Sequence, residues 1–259
     1  MISERSRTGG ARAVAVVLAV MLGRFALIVV GIEVLPLLGL RGWDVGLVVN
    51  GLCVVYAVVV VSAARMWSEI GLTLWRSWPA LLWLVPFALE AASWTWPQGP
   101  RDAEPGAGWW ALTFVLVAVN EELLSRGFTL ARLSRSFSTA IAVVSTGVLF
   151  GLQHLSALAT SDADVGTVLT NVDLTAAFGF AFAAYQARFR WLTPLIVLHA
   201  LSDLAGELTP GSPGDVVVLA TTLLMVATGV VLLRHASRGG PGGAASARTA
   251  PTRSAAPEG

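Results

Sequence analysis

The chain has 259 residues, of which 55% are hydrophobic and only 13% are charged, and its mean hydropathy is +0.72. A soluble domain typically carries about 25% charged residues, so this composition excludes an ordinary soluble domain and indicates a membrane protein. The net charge of +1 gives no electrostatic basis for binding nucleic acid, and the single cysteine, Cys53, excludes a disulfide framework.

Eight apolar stretches follow one another along the chain, and most are long enough to cross a bilayer. They cover roughly residues 13–35, 45–64, 78–94, 109–131, 138–157, 166–187, 191–207 and 214–233. The third and seventh are short and carry Pro86 and Pro194, so we expect their helices to be bent or partly re-entrant. The sequence therefore predicts an all-α fold, a polytopic integral membrane helix bundle with about eight transmembrane helices.

The arginines predict which ends of these helices face the cytoplasm. If the N-terminus is cytoplasmic, fourteen arginines fall on inside segments and only Arg41 and Arg101 fall outside. This distribution follows the positive-inside rule, so both termini are predicted to be cytoplasmic, and a bacterial cell would hold the protein in its plasma membrane. Arg24 lies within the first span instead, where it needs an acidic partner such as Glu90.

The fourth span carries Asn120, Glu121 and Glu122 in an otherwise apolar helix, with Arg126 one turn later. A charge in hydrocarbon costs at least ~2.5–3.5 kcal/mol, so these residues need compensation or have a chemical task. Glu122 and Arg126 are four residues apart, in the order that favours an ion pair on one helix face. Glu121 points about 100° away, which leaves it available as a general base. A purely structural acid pair would fit this pattern equally well.

The fifth span places Phe150 and His154 on one helix face. Gly147 and Gly151 form a GxxxG stripe on the same span, and this stripe permits a close approach of a second helix. His154 falls about 10 Å nearer the outside than Glu121 if both helices are straight. Tilted or kinked helices would be needed to bring these two side chains together.

The seventh span places His199 and Asp203 four residues apart on one face. The pair could be a carboxylate that orients an imidazole, two metal ligands, or two separate contacts to a substrate. In the sixth span, Asn171 and Asp173 could line the same cavity. A helix-end or interhelical hydrogen bond is the favoured interpretation of those two residues.

Taken in order, these motifs resemble those of the CPBP family, which covers CAAX proteases and bacteriocin-processing enzymes and includes the eukaryotic type II CAAX prenyl endopeptidase. The motifs are Glu121-Glu122-x-x-x-Arg126, Phe150-x-x-x-His154 and His199-x-x-x-Asp203. The resemblance covers about residues 109–206, four consecutive helices, and it is specific because three motifs stand in the right order on separate helices. Many members of the family have Asn where this chain has Asp203.

The resemblance implies an intramembrane endopeptidase that cleaves a membrane-associated or lipid-modified peptide or protein within the lipid bilayer. Its catalytic residues would be Glu121, Glu122, Arg126, His154, His199 and Asp203. In one mechanism Glu121, aided by His154, deprotonates a water, and no cofactor is required. His199 and Asp203 then stabilise the oxyanion or orient the substrate. In the other, His154, His199 and Glu121 hold a divalent metal such as zinc, which supplies the hydroxide. We favour the first, because the motif supplies a base without needing a metal.

Two other classes of function stay open at this point. One is a non-catalytic membrane scaffold or bacteriocin-immunity-type protein that retains the fold, and the other is a small proton-coupled transporter. On the protease interpretation, residues 1–108 hold the first three helices, 109–208 form the catalytic core, and 209–238 hold the last helix. Residues 239–259 are rich in Gly, Ala and Pro, which predicts a disordered tail.

Overall fold

A computed structural model describes residues 4–96, 98–211 and 214–238, and the predicted disordered tail at 239–259 lies outside them. Regular structure in the described residues is helical throughout. The helices are α1 (Glu4–Val34), α2 (Trp43–Ala63), α3 (Trp78–Leu82), α4 (Val85–Ser93), α5 (Ala107–Glu122), α6 (Leu130–Ser134), α7 (Thr139–Gln153), α8 (Ala157–Thr160), α9 (Val165–Phe189), α10 (Thr193–Leu208) and α11 (Asp215–Arg238). Two 3-10 turns, Leu35–Leu38 and His154–Ser156, extend α1 and α7.

The predicted membrane helix bundle is confirmed. Within the described residues, six continuous helical stretches are long and apolar enough to cross a membrane. The remaining two spans are shorter, namely Trp78–Ser93 and the 16 residues of α10. At 1.5 Å per residue α10 rises only about 24 Å, less than the ~30 Å thickness of a hydrocarbon core. This is an integral membrane protein whose bundle includes two segments of reduced length.

Proline positions explain why the third span is divided. Pro79 and Pro86 each stand in the first turn of a helix, α3 and α4, where the missing amide hydrogen leaves no helical bond unmade. Trp83 and Leu84 separate the two short helices. Pro194 opens α10 in the same way, so that helix is short rather than kinked. The third span is therefore divided into two helices, whereas the seventh is one short helix with its proline in the first turn.

The GxxxG stripe on α7 is a packing surface against α9, as predicted. A side chain added at Gly147 would meet the backbone of Phe180 at 2.7 Å. One added at Gly151 would meet the Cβ of Ala176 at 2.7 Å. Only glycine lets the two helices approach this closely. The close contact fixes the height of His154, at the end of α7, relative to α9.

A π-helical segment, Leu123–Thr129, joins α5 to α6 within one continuous helix. It begins directly after Glu122, and all seven of its residues are buried. A π segment widens the turn and shifts the register of the residues that follow, and such segments are frequent at functional sites. Here it lies between the two glutamates and the cytoplasmic end that the arginine distribution predicts.

Candidate active site

Glu122 and Arg126 form the ion pair that their spacing predicts. Arg126 Nη1 donates to Glu122 Oε1 at 2.8 Å, and both side chains are fully buried. The guanidinium also lies 4.1 Å above the ring of Phe150 and 5.2 Å from the ring of Phe182. These aromatic faces stabilise the cation where water does not reach it. The pair is therefore buried between the π segment, α7 and α9.

Glu121 faces away from Arg126 and instead bonds to Arg24 of α1. Arg24 Nη2 donates to Glu121 Oε1 at 2.6 Å, and both residues are less than 10% exposed. The same guanidinium donates from Nε to Asn120 Oδ1 at 2.8 Å and from Nη1 to Gln153 Oε1 at 3.0 Å. One side chain thus joins α1, α5 and α7 around the glutamate. Charge-assisted bonds of this kind are stronger than neutral ones.

Glu90 is not the partner of Arg24, so that expectation is wrong. Glu90 lies on α4 and accepts hydrogen bonds from Trp94 Nε1 at 2.8 Å and from Ser202 Oγ at 3.0 Å. Arg24 is satisfied elsewhere because Asn120 and Gln153 supply two further acceptors beside Glu121. These two amides, each next to a motif residue, were the signal that sequence reasoning overlooked.

His199 stands at the centre of the acidic cluster. Its Nδ1 lies 2.8 Å from Glu122 Oε1, and since a carboxylate only accepts, Nδ1 carries the proton and donates it. Its Nε2 lies 3.8 Å from Glu121 Oε2 and 3.5 Å from Asp203 Oδ2. Glu122 therefore fixes the imidazole, and the ring's other nitrogen faces the two remaining carboxylates.

His154 occupies the junction between α7 and its terminal 3-10 turn. Its Nδ1 lies 3.1 Å from the carbonyl oxygen of Phe150, so Nδ1 donates and Nε2 is the acceptor of the neutral ring. The ring of Phe150 lies between the two histidines, with centroids 5.3 Å from His154 and 5.9 Å from His199. The structure thus brings His154 to the same neighbourhood as His199 despite the difference in depth that straight helices would impose.

Two cavities meet at His154. The larger, about 360 Å³, is lined mainly by aromatic and polar side chains, including Trp94, Phe114, Phe150, His154, Asn171, Phe178, His199 and Asp203. The smaller, about 200 Å³, is lined by Arg24, Asn50, Glu121, Gln153 and His154 among others. Asn171 therefore contributes to the cavity wall. Asp173 is exposed and lines neither cavity in the described part of the chain.

The metal-ligand hypothesis concerns the side chains of His154, His199 and Glu121. Across residues 4–96, 98–211 and 214–238, no group of three or more His, Cys, Asp or Glu side chains is arranged to hold a metal ion. Glu121 Oε1 bonds to Arg24, and the Nδ1 atoms of His154 and His199 bond to a carbonyl and to Glu122. The Nε2 atoms of both histidines and Oε2 of Glu121 make no hydrogen bond to a described residue, so the same side chains can serve as acids and bases or as metal ligands.

The bundle and its buried polar cluster define an integral membrane protein with a candidate active site on the fourth, fifth and seventh spans, joined by Arg24 of the first. Residues 103–205 match the model of the family described as Type II CAAX prenyl endopeptidase Rce1-like. Over those residues the chain is similar to this family, which confirms the resemblance that its motifs indicate, and peptidase activity is what the family implies in general. Comparison with curated proteins and with solved structures found no match.

Proposed function

We propose that this protein is an intramembrane endopeptidase in which Glu121 activates a water. The observation that carries the proposal is the position of the two oxygens of Glu121. Oε1 is bonded to Arg24 at 2.6 Å, and Oε2 lies 3.8 Å from His199 Nε2. A gap of 3.8 Å is too long for a direct hydrogen bond, and one water can bond to both atoms from the side. Arg24 would hold the carboxylate in that orientation.

In the proposed reaction, the water oxygen attacks the scissile carbonyl carbon while its proton passes to Glu121 Oε2. His154 Nε2, the free acceptor of that ring, is a second site for hydrogen bonding to the water. In its imidazolium form His199 keeps its Nδ1–H bonded to Glu122 and donates a hydrogen bond from Nε2–H to the oxyanion without giving up the proton. Donors of this kind typically contribute ~3–4 kcal/mol. Glu121 then returns its proton to the leaving amine as the C–N bond breaks. Each of these steps uses side chains of this chain alone.

The proposed substrate is a membrane-associated or lipid-modified peptide. The cavity of about 360 Å³ beside His199 combines aromatic walls with a few polar side chains, as pockets for partly apolar ligands do. It lies among membrane-spanning helices, so a peptide held at the membrane by a lipid chain could enter without crossing bulk water. The description of the matched family, a CAAX prenyl endopeptidase, suggests prenylated peptides as the first substrates to test.

The test is peptide cleavage by the full chain in lipid nanodiscs. A farnesylated peptide with a C-terminal CAAX sequence and the same peptide without the lipid would be compared. Glu121→Gln should reduce turnover at least about 100-fold, the usual lower range for loss of a general base. Asp173→Asn is the matched control, because it makes the same acid-to-amide change on an exposed residue within a span. We expect it to cleave at the wild-type rate.

Wild-type turnover by Glu121→Gln would contradict the assignment of the base. Loss of wild-type cleavage on chelation, with recovery on adding zinc, would instead move His154 and His199 into the role of ligands. Metal content of the purified protein, measured on the same samples, separates the glutamate-activated mechanism from the metal-dependent one.

A further inference from the structure

A third cavity, distinct from the two that meet at His154, opens at the opposite end of the catalytic helices. Its volume is about 290 Å³. It lies where α6 ends, α7 begins and α9 ends, and its polar lining includes Arg126, Ser134, Arg135, Thr139, Gln186 and Arg190. The positive-inside distribution predicts that these helix ends face the cytoplasm.

The charge of this cavity is positive. Three arginines line it against one acid, Glu69, whose carboxylate bonds to Arg135 at 2.5 Å. Arg126 is paired with Glu122, which does not line the cavity, so Arg190 supplies the excess positive charge among the described residues. Arg190 makes no ion pair among the described residues, and its Nη2 reaches only the backbone oxygen of Glu69 at 3.4 Å. Arg126 is 1% exposed, and two of its guanidinium nitrogens, Nε and Nη2, lack hydrogen-bond partners in the described part of the chain.

The remaining lining groups also suit an anion. Thr139 is the first residue of α7, a 15-residue helix, so the positive end of the helix dipole adds to the arginines. The hydroxyls of Ser134 and Thr139 can donate hydrogen bonds as well. From Ser134 back to Arg126 the helix rises by about 12 Å, so the cavity extends from the membrane interface into the bundle.

We propose that this cavity binds a phosphate group, with Arg190 and Arg135 as its principal contacts. Basic pockets between transmembrane helices on the cytoplasmic side are typical sites for the phosphate headgroups of anionic lipids. A free phosphate offers the same chemistry, so the source has to be separated by experiment. The cavity shares Arg126 with the proposed active site, but binding can be measured without any peptide substrate, so failure of the cleavage assay would not decide this proposal.

The experiment is a thermal-unfolding titration of the full chain in neutral detergent at constant ionic strength. The probes are dioctanoyl phosphatidylglycerol, dioctanoyl phosphatidylcholine and inorganic phosphate. Saturable stabilisation by phosphatidylglycerol alone identifies a lipid headgroup site, and stabilisation by both it and inorganic phosphate identifies a general phosphate site. Phosphatidylcholine, whose headgroup has no net charge, is the control. Stabilisation by phosphatidylcholine equal to that by phosphatidylglycerol would overturn the proposal, and so would the absence of a saturable effect of both phosphatidylglycerol and inorganic phosphate.

Three variants test which side chains bind the phosphate group, and each has a different expected effect on affinity. Arg190→Gln should weaken apparent affinity about fivefold, as expected from roughly 1 kcal/mol per arginine near an anionic surface. Glu69→Gln should strengthen affinity, because it releases Arg135 from its acid. Arg188→Gln is the matched control, since this arginine is exposed near the same helix end and does not line the cavity.

Arg135→Gln, at a half-exposed position, removes a second lining charge from a different helix end. Unchanged affinity in both Arg190→Gln and Arg135→Gln would refute the assignment. The assignment would also be refuted if Arg188→Gln weakened binding as strongly as Arg190→Gln and Arg135→Gln do.

Discussion

Replacing Arg24 with glutamine should destabilise the bundle strongly, because the change leaves Glu121 as a buried carboxylate without its cation. Arg24 is 5% exposed and Glu121 is 9% exposed, so solvent does little to screen the loss. Removing one partner of a buried ion pair typically costs about 3–5 kcal/mol. The hydrogen bonds to Asn120 and Gln153 are lost as well, since glutamine is too short to reach them. We expect a loss of about 4 kcal/mol in the free energy of unfolding.

A double-mutant cycle tests whether the unpaired charge is the cause. Adding Glu121→Gln to the Arg24→Gln background removes the orphan carboxylate, so the two changes together should destabilise less than their sum. A coupling of about 2 kcal/mol or more is expected for two side chains in direct contact. Unfolding in mixed detergent and dodecyl sulfate micelles, followed by tryptophan fluorescence, measures all four corners of the cycle.

Arg41→Gln is the control for this cycle, because Arg41 is exposed between α1 and α2. Its substitution should change stability by less than about 0.5 kcal/mol. Additive effects of Arg24→Gln and Glu121→Gln, within that same margin, would refute the reasoning. So would an Arg24→Gln variant as stable as Arg41→Gln.

Two further predictions concern packing and the last motif. Gly147→Ala should destabilise by about 1–3 kcal/mol, because its new methyl would lie 2.7 Å from the backbone of Phe180. Gly51→Ala, a helical glycine with open space around it, should be neutral or stabilising in the same unfolding assay. Asp203→Asn should keep peptide turnover within about tenfold of wild type, because its Oδ2 is 3.5 Å from His199 Nε2, beyond ordinary hydrogen-bond length. A loss of more than about 100-fold in that assay would show that a carboxylate is required there.

Hydropathy predicted the order of the spans, and capping explains why some observed helix ends lie close to the predicted ones. The sixth span was predicted at 166–187 and is observed as Val165–Phe189. Its start is set by Asp164, which accepts from the amide of Thr167 at 3.0 Å. The first helix begins earlier than predicted, at Glu4, because a helix can continue beyond the hydrocarbon that the apolar window detects. Hydropathy gives the part of a helix inside the membrane, and local caps give its full length.

Contacts within one helix could be predicted for the site, whereas contacts between helices could not. The Glu122–Arg126 pair follows from a spacing of four residues, and the structure contains it. The contact of Arg24 with Glu121 joins residues 97 positions apart and depends on how α1 is placed against α5. The π segment after Glu122 was also missed, because a widened turn reflects tertiary packing rather than local propensity.

Access, rather than charge, distinguishes the two adjacent glutamates. Each has one oxygen held by an arginine, and each has its second oxygen free of a hydrogen bond to any described residue. Glu122 Oε2 is fully buried, and the other carboxylate oxygen, Oε1, is hydrogen-bonded to both His199 and Arg126. Glu121 borders a cavity of about 200 Å³ that continues to His154. A water can therefore reach Glu121 and not Glu122.

The residue that holds Glu121 in place comes from outside the matched segment. Arg24 belongs to α1, whereas the family match covers residues 103–205. The four-helix core therefore supplies the acids and histidines, and the first helix supplies the cation that orients the proposed base. A fragment limited to the matched residues would contain every motif and still lack this contact. On the proposed mechanism, such a fragment would present Glu121 without a fixed orientation, so the catalytic unit extends at least to the first membrane helix.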